Sequence, residues 1–277
     1  MLVVGVAAAG TAGLMAAVVP LDRHVLAAVV LIAQVAFVTA WAYLLDTPGI
    51  LGAVAVSAGA AAASDGVLLR SNHVSLTDFA TIVAVAFLFS LVWQILRPHR
   101  SRVTESLAAT LAAAVLAVAG GAYLTLRAGI GGQQAATAAL LGVAAVLGVG
   151  RLVDAVLPVP ALSGSRRRGF PGLVIGMAAA GALGAYFGSH GGPLTSGKAA
   201  LVALGAAAVA AVTDLGVDAG LATLGGDPPP GAASVGATGP VPARKRAPWP
   251  ARLVVVAVLP VLISAPPAYA IARAVLT

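Results

Sequence analysis

Cysteine is absent from the 277 residues, and charge is scarce, at 9% of the chain against 60% hydrophobic. Without cysteine there is no disulfide framework, thiol nucleophile, iron–sulfur cluster or cysteine zinc site. The four histidines lie far apart, with no ligand-like spacing, so the sequence does not point to redox chemistry. Too little charge excludes a soluble fold, because a water-exposed surface needs roughly 25% charged residues. Aromatics are few, 5%, and none form a ladder beside the basic residues. The net charge of +7 therefore does not point to nucleic acid. Anionic lipid headgroups or phosphates suit it better.

What remains is apolar chain, with a mean hydropathy of +1.01. Windows long enough to cross the hydrocarbon core, about 20 residues, fall at 2–20, 25–45, 48–64, 79–96, 106–126, 134–157, 172–188, 198–224 and 252–276. The third and seventh are short. The opening stretch has no basic start and too long an apolar run for a signal peptide, so it reads as the first span. The windows are continuously apolar and lack the alternation of a barrel strand. The expectation is an all-α, polytopic integral membrane helix bundle of about nine transmembrane helices, one membrane domain over 1–277.

Nine spans sort the basic residues sharply. Arg97, Arg100, Arg102, Arg166, Arg167, Arg168, Arg244, Lys245, Arg246 and Arg252 fall on one side, and Arg23, Arg70, Arg127, Lys198 and Arg273 on the other. Basic loops stay inside. This predicts a multi-pass protein of the cell membrane with its N-terminus cytoplasmic and its C-terminus outside. Residues 225–251, rich in proline, glycine and small side chains, read as a flexible cytoplasmic loop. Its basic end, with Trp249 nearby, fits a segment resting on the membrane interface or a plain topology signal.

No internal repeat is visible, which gives no support to the inverted halves of secondary transporters. In the seventh span Gly172, Gly176, Ala180, Gly184 and Gly188 recur every four residues, a smooth stripe for close helix packing. Four ionisable residues stand inside apolar runs: Arg151 and Asp154 in the sixth span, Asp214 and Asp218 in the eighth. Charge in hydrocarbon costs about 2.5–3.5 kcal/mol per residue on insertion scales, so such residues are paired or functional. Asp214 and Asp218, one turn apart on one face, suit a divalent cation, and Arg166 to Arg168 suit phosphate oxygens. The other reading is that the four satisfy one another within the bundle or sit near the headgroups.

The order of these features resembles the phosphatidate cytidylyltransferases, or CDP-diacylglycerol synthases, from about residue 97 onward. "VGRLVDAVLPVPALSGSRRRGFPG" over 149–172 is similar in spacing to that family's V-G-R-L-F-G-K followed by P-A-I-S-P-K-K-T-W-E-G. Val149, Gly150, Arg151, Leu152, Pro160, Ala161 and Ser163 are in register, and the arginine run stands for the basic pair. "SLAATLAAAVLAVAGGAYLTLR" over 106–127 resembles another family span. Asp214 and Leu215 resemble the opening G-D-L of the family signature, and "SAPPAYAIARAVL" over 264–276 its closing helix.

The chain also departs from the pattern. Val143 stands where the family has an aspartate. Val217, Asp218, Leu221 and Ala222 replace E-S and a basic pair, and the H-G-G-x-x-D-R-x-D motif before the last span is missing. The resemblance implies attack of a phosphatidate oxygen on the α-phosphorus of CTP, with Mg²⁺ neutralising the phosphates. It further implies a phosphate site at Ser163, Arg166, Arg167, Arg168 and Arg151, metal carboxylates at Asp214 and Asp218, and a homodimer. Retained spacing with lost carboxylates fits a catalytically degenerate member that binds anionic lipid, phosphatidate or nucleotide. The alternatives are an active enzyme with rearranged metal ligands and a small transporter.

Overall fold

The computed structural model describes residues 2–70, 76–97, 102–157, 169–190, 193–225 and 248–276. Among them are ten helices: α1 Leu2–Val18, α2 Arg23–Leu44, α3 Ile50–Arg70, α4 Leu76–Leu96, α5 Val103–Gly120, α6 Ala122–Ala128, α7 Gly132–Val156, α8 Phe170–Ser189, α9 Ser196–Gly225 and α10 Trp249–Leu276. Helices α5 and α6 form one span of 26 residues interrupted at Gly121, and eight spans are long and apolar enough to cross a membrane. With the shorter apolar α1 they make nine, and the chain is an all-α, multi-pass membrane bundle.

The spans expected to be short are not. Helix α3 has 21 residues and α8 has 20. Ser64, Asp65 and Gly66 close the apolar window of the third span without ending the helix, because Val67, Leu68 and Leu69 carry it on to Arg70. At α8, Pro171 suits the first turn, where no intrahelical N–H is needed. The short helix is α1, at 17 residues. Most of the loop expected at 225–251 lies outside the described residues, but Trp249, Pro250 and Ala251 are helical and open α10.

Successive spans run antiparallel and sort into two halves. Helices α1, α7, α8 and α9 pack together, α2 to α5 form the other group, and α10 touches both. Small residues let the first group approach closely, as expected where lipid supplies no hydrophobic drive between helices. A Cβ on Gly142 of α7 would lie 2.5 Å from the Ala203 carbonyl oxygen of α9. The stripe on α8 is buried along its whole length. A Cβ on Gly184 would sit 2.6 Å from the Ala203 Cβ. In the second group Gly52 leaves room for the Trp93 ring, whose Cε2 would lie 1.9 Å from an added Cβ.

Polar side chains are used sparingly and mostly to bind one helix to the next. Trp41 Nε1 donates to the Ala109 carbonyl at 3.2 Å, Ser57 Oγ to that of Thr110 at 3.0 Å, and Gln94 Nε2 to Ser106 Oγ at 2.6 Å. At one end of this group Arg102, in the left-handed region at φ 53°, holds Glu105 and lies 3.5 Å from Asp46. The Glu105 carboxylate pushes the already high Arg102 pKa further up. Tyr123, fully buried, shares a 2.7 Å hydrogen bond with Ser264 of α10. Replacing Tyr123 by Phe should cost about 1 kcal/mol, seen as a small fall in melting temperature in detergent. An unchanged melt would show that this bond adds nothing net.

Candidate functional site

Two of the three helices that build the site bring their ionisable residues by spacing alone. Arg151 and Asp154 lie one turn apart on α7, and Asp214 and Asp218 lie i, i+4 on one face of α9. Because α7 and α9 pack across the glycine contact at Gly142, Arg151 meets both aspartates. Arg151 Nη2 forms an ion pair with Asp214 Oδ1, and Asp218 Oδ2 is 3.6 Å from the same nitrogen. All three are buried, at 3% exposure for Arg151, 1% for Asp214 and 7% for Asp218. Helix α1 covers the guanidinium stem, and a Cβ on Gly5 would lie 3.0 Å from the Arg151 Cβ. Arg151 Nε has no hydrogen-bond partner among the described residues.

Asp154 has a different task. Its Oδ1 accepts the backbone N–H of Gly172 at 3.1 Å, in the first turn of α8, whose own N-cap Gly169 brings no side chain. A carboxylate from a neighbouring helix thus caps α8 and faces the positive end of its dipole. Gly172 is required there, since a Cβ would lie 2.1 Å from that oxygen.

Of the residues expected to bind phosphate, Arg151 is at the centre of this cluster. Ser163, Arg166, Arg167 and Arg168 lie outside the described residues. Helix α7 itself runs on about 8 Å past Arg151 along its axis, and Gly169, just before α8, lies beside Asp154. Asp214 and Asp218, expected as metal ligands, both face Arg151. Magnesium wants six oxygens in near-octahedral array, and here a guanidinium holds the same two carboxylates that the ion would need. Among the described residues no group of three or more histidine or acidic side chains could hold a metal. As arranged, the residues present do not fit the ion.

A second buried acid falls outside the expected spans. Asp65 on α3 is 3% exposed, and Gln34 on α2 donates to it. The third apolar window stops at residue 64, one short of it. The signal that could have found it is the apolar run on its far side, "GVLL".

No protein-family model, curated protein or solved structure matches this chain.

Proposed function

We propose that the chain is a catalytically degenerate phosphatidate cytidylyltransferase-like membrane protein that binds the phosphate of an anionic lipid or a nucleotide. The observation that carries this reading is the placement of Arg151 against both Asp214 and Asp218. A guanidinium set against two carboxylates occupies oxygens that a metal ion would need. Magnesium chemistry needs those oxygens open, and the family pattern has an aspartate where Val143 stands here, fully buried in apolar packing.

Phosphate binding then falls to cations at the same end of the bundle. Arg97 follows α4, Arg102 precedes α5, Arg166 to Arg168 fall in sequence between α7 and α8, and Arg252 lies in the first turn of α10. This clustering supports a cytoplasmic placement of that end, with the N-terminus inside and the C-terminus outside. An apolar groove of about 720 Å³ between α2 and α10, lined by Leu31, Val35, Tyr43, Ala251 and Val254 among others, suits an acyl chain. Trp249, 72% exposed at the start of α10, suits the membrane interface. Arg252 Nε, buried and without a partner among the described residues, is a donor available to a headgroup.

Purified protein in nanodiscs, given phosphatidate, CTP and Mg²⁺, is expected to release no pyrophosphate while retaining anionic lipid through purification. Turnover that disappears in Asp214→Asn would replace this reading with that of an active enzyme using rearranged ligands.

A further inference from the structure

The other half of the bundle holds a buried acid in a different environment, and its role is independent of any phosphate binding at Arg151. Asp65 Oδ1 lies 3.4 Å from Gln34 Nε2, and that amide also donates to the Ala117 carbonyl at 2.9 Å. Both of its acceptors fix the amide orientation, so Nε2 and not Oε1 faces the acid. Asp65 Oδ2 makes no hydrogen bond, and among the described residues no ion pair reaches this carboxyl. Gln34 Oε1 and Ser64 Oγ are likewise buried without partners. Asp214 and Asp218 have a guanidinium; Asp65 has one long hydrogen bond from a neutral amide.

The backbone beside Asp65 is interrupted. Gly121 N donates to the Val118 carbonyl at 3.0 Å, one residue short of the α-helical partner, which leaves the Ala117 carbonyl to Gln34. A Cβ at Gly121 would lie 3.0 Å from Asp65 Oδ1, and one at Gly120 would lie 2.5 Å from Leu262 of α10. Helix α10 is itself weakened close by, since Pro260 has no N–H to give the Val256 carbonyl. A buried carboxyl therefore stands where two interrupted helices meet, and irregular backbone at membrane depth occurs where it is buried in protein or lines a cavity.

An ionised carboxylate in apolar surroundings with no cation beside it takes up a proton. The charged and titratable groups on the surrounding helices are at helix ends or already bonded. Asp22, Arg23 and His24 open α2 and Tyr43 lies near its end. Arg70 ends α3, Asp78 opens α4, and Glu105 binds Arg102. On α6 Tyr123 is bonded to Ser264, and Arg127 Nε donates to the Val19 carbonyl at 2.7 Å. We propose that Asp65 is a proton-binding site within the membrane, held as the neutral acid against Gln34, with its proton exchanged at the α5–α6 interruption.

The test uses the whole protein in nanodiscs and dicyclohexylcarbodiimide, an apolar reagent that adds to protonated carboxyls. The acid proton moves to a carbodiimide nitrogen and the carboxyl oxygen bonds to the central carbon. The adduct then rearranges to an N-acylurea with no atom lost. Peptide mass spectrometry should find the adduct on Asp65, falling about tenfold per pH unit above its titration point, and not on Asp214. A carboxylic-acid infrared band that shifts in D₂O should be present in the wild type and missing from Asp65→Asn. Labelling suppressed by sodium chloride but not by choline chloride would make this a sodium site and overturn the proposal. So would an unmodified Asp65 in folded protein with no band lost on substitution. Should Asp65→Asn fail to fold, the wild-type adduct and its pH dependence still decide.

Discussion

Arg151→Met is expected to destabilise the protein by about 3–5 kcal/mol, because it removes the buried guanidinium set against two buried carboxylates. Asp214→Asn alone should cost less, since Arg151 still has Asp218 at 3.6 Å. The informative variant is the combination of Arg151→Met with Asp214→Leu and Asp218→Ala, which removes the guanidinium together with both carboxylates that face it. It should recover most of the loss, as replacement of a buried ionic cluster by apolar side chains often does. Melting curves in one detergent would compare all three. Equal melts for Arg151→Met and the wild type would mean that the aspartates carry no charge in need of a partner, and the pairing would lose its role.

The second large effect concerns the glycines between α7, α8 and α9. Gly142→Ala and Gly184→Ala each push a methyl group into backbone or side-chain atoms at 2.5 and 2.6 Å. Overpacking costs typically about 1–3 kcal/mol, and more where backbone must shift. Gly10→Ala and Gly13→Ala, on the open face of α1 with nothing within 4 Å, serve as controls. These should be neutral or stabilising, by up to about 1 kcal/mol from helix propensity. Should all four variants melt alike, the close approach of α7 and α9 is not what holds this half together.

The spans were legible because hydrocarbon imposes a minimum apolar length, and the chain obeys it everywhere except in α1. The stripe on α8 was legible too, since a repeat of four residues places Gly172, Gly176, Ala180, Gly184 and Gly188 on one face whatever the neighbours. Spacing likewise put Asp214 beside Asp218 on α9. That Arg151 would reach both, while Asp154 turned to the start of α8, depended on which helices become neighbours, and no local pattern encodes that. Asp65 was hidden by a window that ended too early, and Gln34 by its neutrality. The Gly120–Gly121 pair was visible as a weak point in the fifth span, yet its meaning depends on the carboxyl brought against it from α3.

Helix α10 has a consequence for the two acidic centres it separates. It leans on α9, which carries Asp214 and Asp218, and on α2 and α5, which enclose Asp65. It is also the span with three prolines inside it, Pro260, Pro266 and Pro267, and so the one least able to stay straight under load. A flexure there would displace the Ser264 anchor of Tyr123 and the wall behind α9 in a single motion. Two sites that share no residue would then feel the same mechanical event.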